Sequence, residues 1–440
     1  VPLDKSIAQR SAILGLSTNT GVEGEDIVST KKAAKQIRSG ADNLCLDMGN
    51  SGTGMRLMAG FIAGLGIDAE LVGDESLSNR PMERIAKPLR EMGAEIHLRE
   101  GKPPIKIVKS NIANEFIYDL EEDKLVTKQL NKTAMLSYLK YENGKVVIDE
   151  ISPNDRFGHI FKNDTLWNSH SAGKSVMSYI MGHAICKGHI DGINHKLNDW
   201  PILENTLYYD QPIINLLNMA AGDRKYFENN SSAFKKSKRW VNSESLQSLL
   251  ENELKNSKAT KAKGKKYNYN NMNTNLIASY VLYKMGHKKY EEMLSEIFAD
   301  KVGIEYEIVF YKPRGAGKDE PSVTYGMYIS RYDYLRIAVA MLDDWNNNTC
   351  EGEYLKSLYE NRIKKNQQYR DNLQSFTNTK EYGGQFHMTL SGGKNKNRPV
   401  FQIDGWGGQT ITIDFEKNKI IAILAIHRDY NWMKLVHSKF

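Results

Sequence analysis

The feature that most constrains this chain is a change of grain near Glu115. Before it, short helical and strand-like runs alternate around frequent glycines; after it, Asn, Lys and Tyr become frequent and the glycine-rich pattern fades. A length of 440 residues exceeds one ordinary domain. The change of grain therefore predicts two, over residues 1–112 and 113–440. The join near Lys109–Glu115 carries no Gly/Ser- or Pro-rich linker.

With 40% hydrophobic and 26% charged residues, both parts can bury substantial cores. No apolar stretch is long enough for a membrane span. The net charge of +7 is modest, and its densest source is the run Lys255, Lys258, Lys261, Lys263, Lys265 and Lys266. A solvated loop is the preferred reading of that run over an anion-binding patch. Only Tyr267 and Tyr269 place aromatics beside it, which argues against a nucleic-acid partner. Cys45, Cys186 and Cys350 are far apart and odd in number, so they read as small buried apolar residues rather than a disulfide framework or a metal site. An opening on Val1 rather than Met reads as a fragment or a processed product.

In the first segment, Gly49-Asn50-Ser51-Gly52-Thr53-Gly54 precedes Met55, Leu57, Met58, Phe61 and Ile62 at helical spacing. A glycine-rich turn at a helix N-terminus offers free backbone N–H groups and a positive dipole end, suited to phosphate. Lys5, Arg10, Arg56 and Arg80 add positive charge, although glycine before a helix is more often a simple turn.

In the second segment, Leu136–Tyr141 and Lys145–Ile151, split by Asn143-Gly144, read as a β-hairpin. Helices follow, and then three strands over Val400–Ile403, Gln409–Phe415 and Lys419–Ile426. Strands at both ends with helices between predict an α+β domain whose sheet is completed by its termini.

Three motifs in this segment carry chemistry. Ser171-Ala172-Gly173-Lys174 is a Ser-x-x-Lys pair, a spacing shared by Ser29/Lys32, Ser137/Lys140, Ser232/Lys235 and Ser391/Lys394. Ser171 stands apart because Val176, Met177, Ile180, Met181, Ala184 and Ile185 follow at helical spacing. A serine there meets the positive end of a buried helix, and burial favours a neutral lysine able to take its proton. The competing reading is a helix-capping serine with a snorkelling lysine. Tyr269-Asn270-Asn271 offers a proton relay and a carbonyl-holding amide, or merely a loop tyrosine before a helix. Asp404-Gly405-Trp406-Gly407-Gly408 at a strand start lets substrate approach the backbone, where an N–H paired with that of Ser171 stabilises an oxyanion; alone it is an ordinary hairpin turn.

Two resemblances join these motifs. Asp4–Arg10, Gly49–Leu57 and Gly73–Met82 resemble the N-terminal lobe of 5-enolpyruvylshikimate-3-phosphate synthases over about residues 1–110. That implies a partial α/β lobe in which Lys5, Ser6 and Arg10 touch shikimate 3-phosphate. Asn50, Gly52, Thr53, Arg56 and Arg80 then sit near the phosphoenolpyruvate end of the cleft. The interval from Asp26 to Asp47 looks short for that family, and nothing resembles its second lobe, so no synthase activity is expected of this segment.

From about residue 115 onward the three chemical motifs, in order, resemble the serine-reactive family of class C β-lactamases, penicillin-binding proteins, related esterases and 6-aminohexanoate-oligomer hydrolases. Leu166–Gly188, Ile213–Gly222 and Tyr328–Asp344 agree with that family's further elements. The resemblance implies a β-lactamase/transpeptidase-like antiparallel sheet with a helical part, and two-step acyl transfer. Ser171 is then the nucleophile, and Lys174 and Tyr269 shuttle protons. Asn271, Gly405, Trp406 and Gly407 bind substrate, with neither metal nor organic cofactor. The expected partner is a small ester or amide. Asp404 stands where β-lactamases usually carry a cation, which turns the expectation from β-lactams towards neutral or cationic esters and amides.

A catalytically silent binding module on this scaffold is the competing class, disfavoured by the intact Ser171, Lys174 and Tyr269. A genuine fusion implies a cytoplasmic protein, and a natively exported hydrolase a periplasmic one. The missing initiator Met favours a gene remnant or assembly error joining the two segments.

Overall fold

Glycine-rich turns and short amphipathic runs build the first part of the chain as a layer of helices on a small sheet. The computed structural model describes residues 5–15, 24–40, 44–110, 120–223, 266–311, 325–365, 379–390 and 398–440. These divide into two compact units, Val1–Leu120 and Glu121–Phe440.

Unit 1 contains α1 (Lys5–Leu14), α2 (Glu25–Arg38), β1 (Leu44–Asp47), α3 (Gly52–Leu65), β2 (Ala69–Val72), α4 (Glu75–Ser78), α5 (Glu83–Glu91), β3 (Glu95–Arg99) and β4 (Lys102–Val108). Its sheet runs β1-β2-β4-β3, with β1 and β2 parallel and the other pairs antiparallel. The helical face of α3 buries Met55, Met58, Ala59 and Ile62 with Leu46, Leu71, Ile105 and Ile107 of the sheet. Ser51 caps α3, its Oγ accepting from Gly54 N at 3.2 Å and from Gln9 Nε2 at 2.7 Å.

Unit 2 takes in α6 (Leu120–Lys132), β5 (Met135–Glu142), β6 (Lys145–Ile151), β7 (Trp167–Asn168), α7 (Gly173–Cys186) and α8 (Ile213–Leu217). After them come α9 (Asn271–Met285), α10 (His287–Ser295), β8 (Val309–Phe310), β9 (Met327–Ile329), α11 (Arg331–Asn347) and α12 (Cys350–Glu360). The last elements are β10 (Ile363–Lys364), β11 (Thr379–Gly383), β12 (Phe386–Leu390), β13 (Val400–Asp404), β14 (Thr410–Asp414), β15 (Lys419–Ala425) and α13 (Trp432–Leu435). The main sheet is ordered β10-β11-β12-β13-β14-β15-β5-β6, antiparallel throughout. The expected hairpin and C-terminal strands thus meet at β15–β5, where the two ends of the unit close one sheet.

The continuous apolar run of β15 follows from burial on both faces. Ile420, Ala422 and Leu424 enter the core under α7, α9 and α11, whereas Ile421, Ile423 and Ala425 enter a second core with α6 and α13. The Asn143-Gly144 turn has positive φ at both residues, 49° and 89°, as a tight hairpin of matching twist requires. Helix α7 is buried from Gly173 to Ala184, so it is apolar all round rather than on one stripe.

The cysteine expectation is overturned. Cys186, at the end of α7, and Cys350, at the start of α12, form a disulfide across 164 residues, and Cys45 is exposed on β1. Sequence distance concealed the pair because the packing of α12 against α7 is a tertiary contact. No described helix is long and apolar enough to cross a membrane. The lysine run up to Lys265 lies outside the described residues.

Candidate active site

Ser171 does not sit within α7. It occupies a 3-10 turn, His170–Ala172, just before that helix, and His170 has a left-handed φ of 47°. Ser169 anchors the turn, its Oγ accepting from Met327 N at 3.0 Å. Gly173 is required beneath it, since a Cβ there would lie 1.9 Å from the Tyr325 carbonyl oxygen. Ser171 itself is half-buried.

Lys174, one turn into the buried helix, is 1% exposed. Its Nζ donates to Asn271 Oδ1 at 2.7 Å and lies 3.5 Å from the Tyr325 ring centroid and 5.3 Å from that of Tyr269. The aromatic faces favour an ammonium, but burial outweighs them and holds the amine well below the ordinary lysine range. That burial favours the neutral, basic form of the amine.

Tyr269 precedes α9 by two residues, and its hydroxyl lies near enough to Ser171 for the two side chains to interact. Part of the residue reaches the surface, yet the hydroxyl is enclosed. Burial pushes its pKa well above the phenol range, against the lowering effect of nearby Ser171 and with smaller upward contributions from Tyr325 and Asp404. At rest it is a neutral donor.

Asn271 Oδ1 accepts from both Lys174 and, at 2.8 Å, the Tyr325 hydroxyl. Both bonds fall on the oxygen, so the amide nitrogen is the end oriented to donate elsewhere. Tyr325 was not anticipated from sequence. It is one of 23 tyrosines and belongs to no motif, and only the packing of its carbonyl on Gly173 brings it to the site.

The third motif reaches the same place. Gly405 lies so close that a Cβ would be 2.6 Å from Ser169 O and 3.4 Å from Ala172 N, which sets the β13–β14 turn against the Ser169–Ala172 turn. Gly405 N donates to Gln409 O at 2.8 Å within that turn. Gly407 adopts a φ of 90°, open to glycine at little cost. Trp406 is 75% exposed, edge-to-face with His170 at 5.5 Å.

The role expected of Asp404 is corrected. Its carboxylate is buried and paired with Arg428, which also donates to Gly405 O at 3.2 Å; Thr410 Oγ1 donates to Asp404 Oδ1 at 3.1 Å. Burial acts to lower the Arg428 pKa, but the adjacent Asp404 charge holds it above its ordinary value. An acid neutralised in this way does not select cationic substrates. The sequence hid the pairing because Arg428 lies beyond β15, on the far side of a hairpin.

In unit 1, the structure gathers some of the expected residues at the start of α3. Arg80 donates to Asn50 Oδ1, and Arg56 Nη1 donates to Gly52 O at 3.2 Å. A Cβ on Gly52 would meet Arg80 Nη1 at 2.7 Å and Arg56 Nη1 at 3.1 Å. Burial first, then Arg80 and Arg84, lower the pKa of Arg56. Thr53 and Arg10 are exposed. The side chains of Lys5 and Ser6 lie outside the described residues, although both belong to α1.

The model of the EPSP synthase (3-phosphoshikimate 1-carboxyvinyltransferase) family matches residues 7–155. The match runs past the boundary between the units into β5 and β6. The 3-phosphoshikimate 1-carboxyvinyltransferase of Ruthia magnifica is 40% identical over 179 residues, covering 35% of this chain and 40% of that protein. That of Legionella pneumophila (strain Corby) is 36% identical over 176 residues, covering 34% and 40%. Among solved structures, a D-stereospecific amidohydrolase from Streptomyces sp. is similar with a TM-score of 0.49 and 12% identity, covering 72% of this chain and 97% of its own. A penicillin-binding protein from Bacillus halodurans is similar with a TM-score of 0.49 and 13% identity, covering 73% and 100%. The chain spans about 40% of the length of the curated relatives it matches.

Proposed function

We propose that unit 2 is a serine hydrolase that cleaves an ester or amide through an acyl-enzyme on Ser171. The observation that carries this reading is the convergence of Ser171 and the Tyr269 hydroxyl on a buried Lys174, whose Nζ lies 2.7 Å from Asn271 Oδ1 and 5.3 Å from the Tyr269 ring centroid. As Ser171 attacks the carbonyl, its proton passes to Tyr269 while the phenol's own proton passes to Lys174, held by Asn271 and Tyr325; that proton then goes to the leaving alcohol or amine, and water releases the acyl group from Ser171. The Ser171 N–H and an N–H of the adjoining β13–β14 turn face the oxyanion. The amide nitrogen of Asn271 donates to the substrate carbonyl. Trp406 and the glycines on either side of it, Gly405 and Gly407, form the substrate's resting edge.

With Asp404 neutralised by Arg428, the reading no longer favours cationic substrates. Reaction with a fluorophosphonate probe followed by peptide mapping tests the mechanism. Labelling is expected at Ser171 and lost in Ser171→Ala. Labelling elsewhere, or equal labelling of that variant, overturns it, and complete silence favours the binding-module reading.

For unit 1 the reading is an enolpyruvyl transferase-related lobe that takes no part in the hydrolysis. Isothermal titration with shikimate 3-phosphate is expected to be silent, and a saturable heat overturns that reading.

A further inference from the structure

Tyr269 acts from irregular backbone, residues 266–270, and not from within a helix or strand. Such a segment does not by itself hold a hydroxyl in place, and a misplacement of about 1 Å at a reacting group costs on the order of 100-fold in rate. What braces it is a fully buried carboxylate from the loop after α8. Asp223 Oδ1 accepts from Asn268 Nδ2 at 3.2 Å, and its Oδ2 accepts from Asn270 Nδ2 at 3.0 Å and from the Tyr208 hydroxyl at 2.9 Å. Asn268 and Asn270 are the two residues flanking Tyr269.

Asn270 is extended, with φ −153° and ψ 165°. In extended chain, alternate side chains leave on opposite sides. With both flanking amides drawn to one carboxylate, the Tyr269 side chain leaves on the other side, where its hydroxyl meets Ser171. The same loop fixes the backbone, since Asn268 N donates to Met219 O at 2.7 Å. Asn270 is clamped a second way, its Oδ1 capping α9 by accepting from Asn273 N at 3.0 Å.

We propose that Asp223 is a positioning residue for the acyl-transfer reaction, holding Tyr269 on Ser171 through Asn268 and Asn270. The proposal rests on the hydrolase reading above. A carboxylate accepts on all its lone pairs, and one bonded to both neighbours of a single residue fixes that residue's direction. An amide in its place has only one accepting atom and turns an NH2 group towards donors. Asp223→Asn therefore keeps the size of the side chain and breaks the symmetry of the clamp.

The test is turnover of p-nitrophenyl acetate by the full chain in a double-mutant cycle of Asp223→Asn and Tyr269→Phe. Asp223→Asn is expected to lower kcat roughly 10- to 100-fold with KM little changed. In the Tyr269→Phe background it is expected to add no further loss, because the group it positions is already gone. A folded Asp223→Asn protein with the parent kcat, or an equal further loss in the Tyr269→Phe background, overturns the proposal. Asn268→Ala, which removes one arm of the clamp and leaves the α9 cap intact, decides in the same cycle if Asp223→Asn does not fold. If Tyr269→Phe alone leaves both turnover and Ser171 labelling unchanged, the hydrolase reading falls and this proposal with it. Loss in Tyr269→Phe with parent turnover in the clamp variants overturns this proposal alone.

Discussion

Arg428 donates to Oδ1 of Asp404 where β13 ends against the Ser169–Ala172 turn. The pair is largely buried, with side-chain exposures of 13% and 1%. It carries the turn that holds Gly405 against the Ser169–Ala172 turn. Arg428→Met leaves an uncompensated carboxylate in the interior. Urea unfolding is expected to show a loss of about 3–5 kcal/mol, the usual cost of breaking a buried ion pair from one side. The double variant Asp404→Asn with Arg428→Met is expected to recover most of that loss. A single variant as stable as the parent means that the pair does not support the turn.

Lys174 gives a pH dependence of defined sign. Burial holds its folded pKa well below the unfolded value of 10.5. Between those two values the unfolded chain binds the extra proton, so stability rises with pH across that window. Below the folded pKa, protonation of a buried amine costs stability fully. Lys174→Met is expected to flatten this slope in urea titrations taken at several alkaline pH values, and to abolish probe labelling at Ser171. A parent slope of opposite sign in that window places a charged amine in the folded site.

The disulfide joins the end of α7 to the start of α12 over 164 residues. With Cys186 and Cys350 paired, thiol titration of the unreduced, unfolded protein should find one reactive group, Cys45, and three after reduction. Cys350→Ser is expected to lower stability by about 2–4 kcal/mol under oxidising conditions and to change little under reducing ones. Three thiols before reduction sink this expectation.

Gly173 has an ordinary helical φ of −61°, so alanine there carries no backbone penalty. Its cost comes from the Tyr325 carbonyl, 1.9 Å from the position of a Cβ. Gly173→Ala is expected to lose roughly 1–3 kcal/mol through overpacking. Because the same carbonyl precedes the strand that anchors Ser169, fluorophosphonate labelling should slow as well. Labelling at the parent rate, with stability lowered, separates the helix start from the Ser171 turn.

The sequence alone determined the elements whose signals are local. Asn143-Gly144 between alternating strands, the apolar periodicity after Ser171 and the glycines of the β13–β14 turn are all written within a few residues, and all form as expected. Proximity of Ser171 to Tyr269, nearly 100 positions away, was legible only as a resemblance among motifs in order. Tertiary structure decided the rest. Tyr325 at Lys174, Asp223 behind Tyr269, Arg428 on Asp404 and Cys350 on Cys186 join residues from different elements, and none of these pairings leaves a periodic or compositional trace. Burial also set the chemistry: desolvation lowers the Lys174 pKa and raises that of Tyr269, and desolvation exists only once the chain has packed around them.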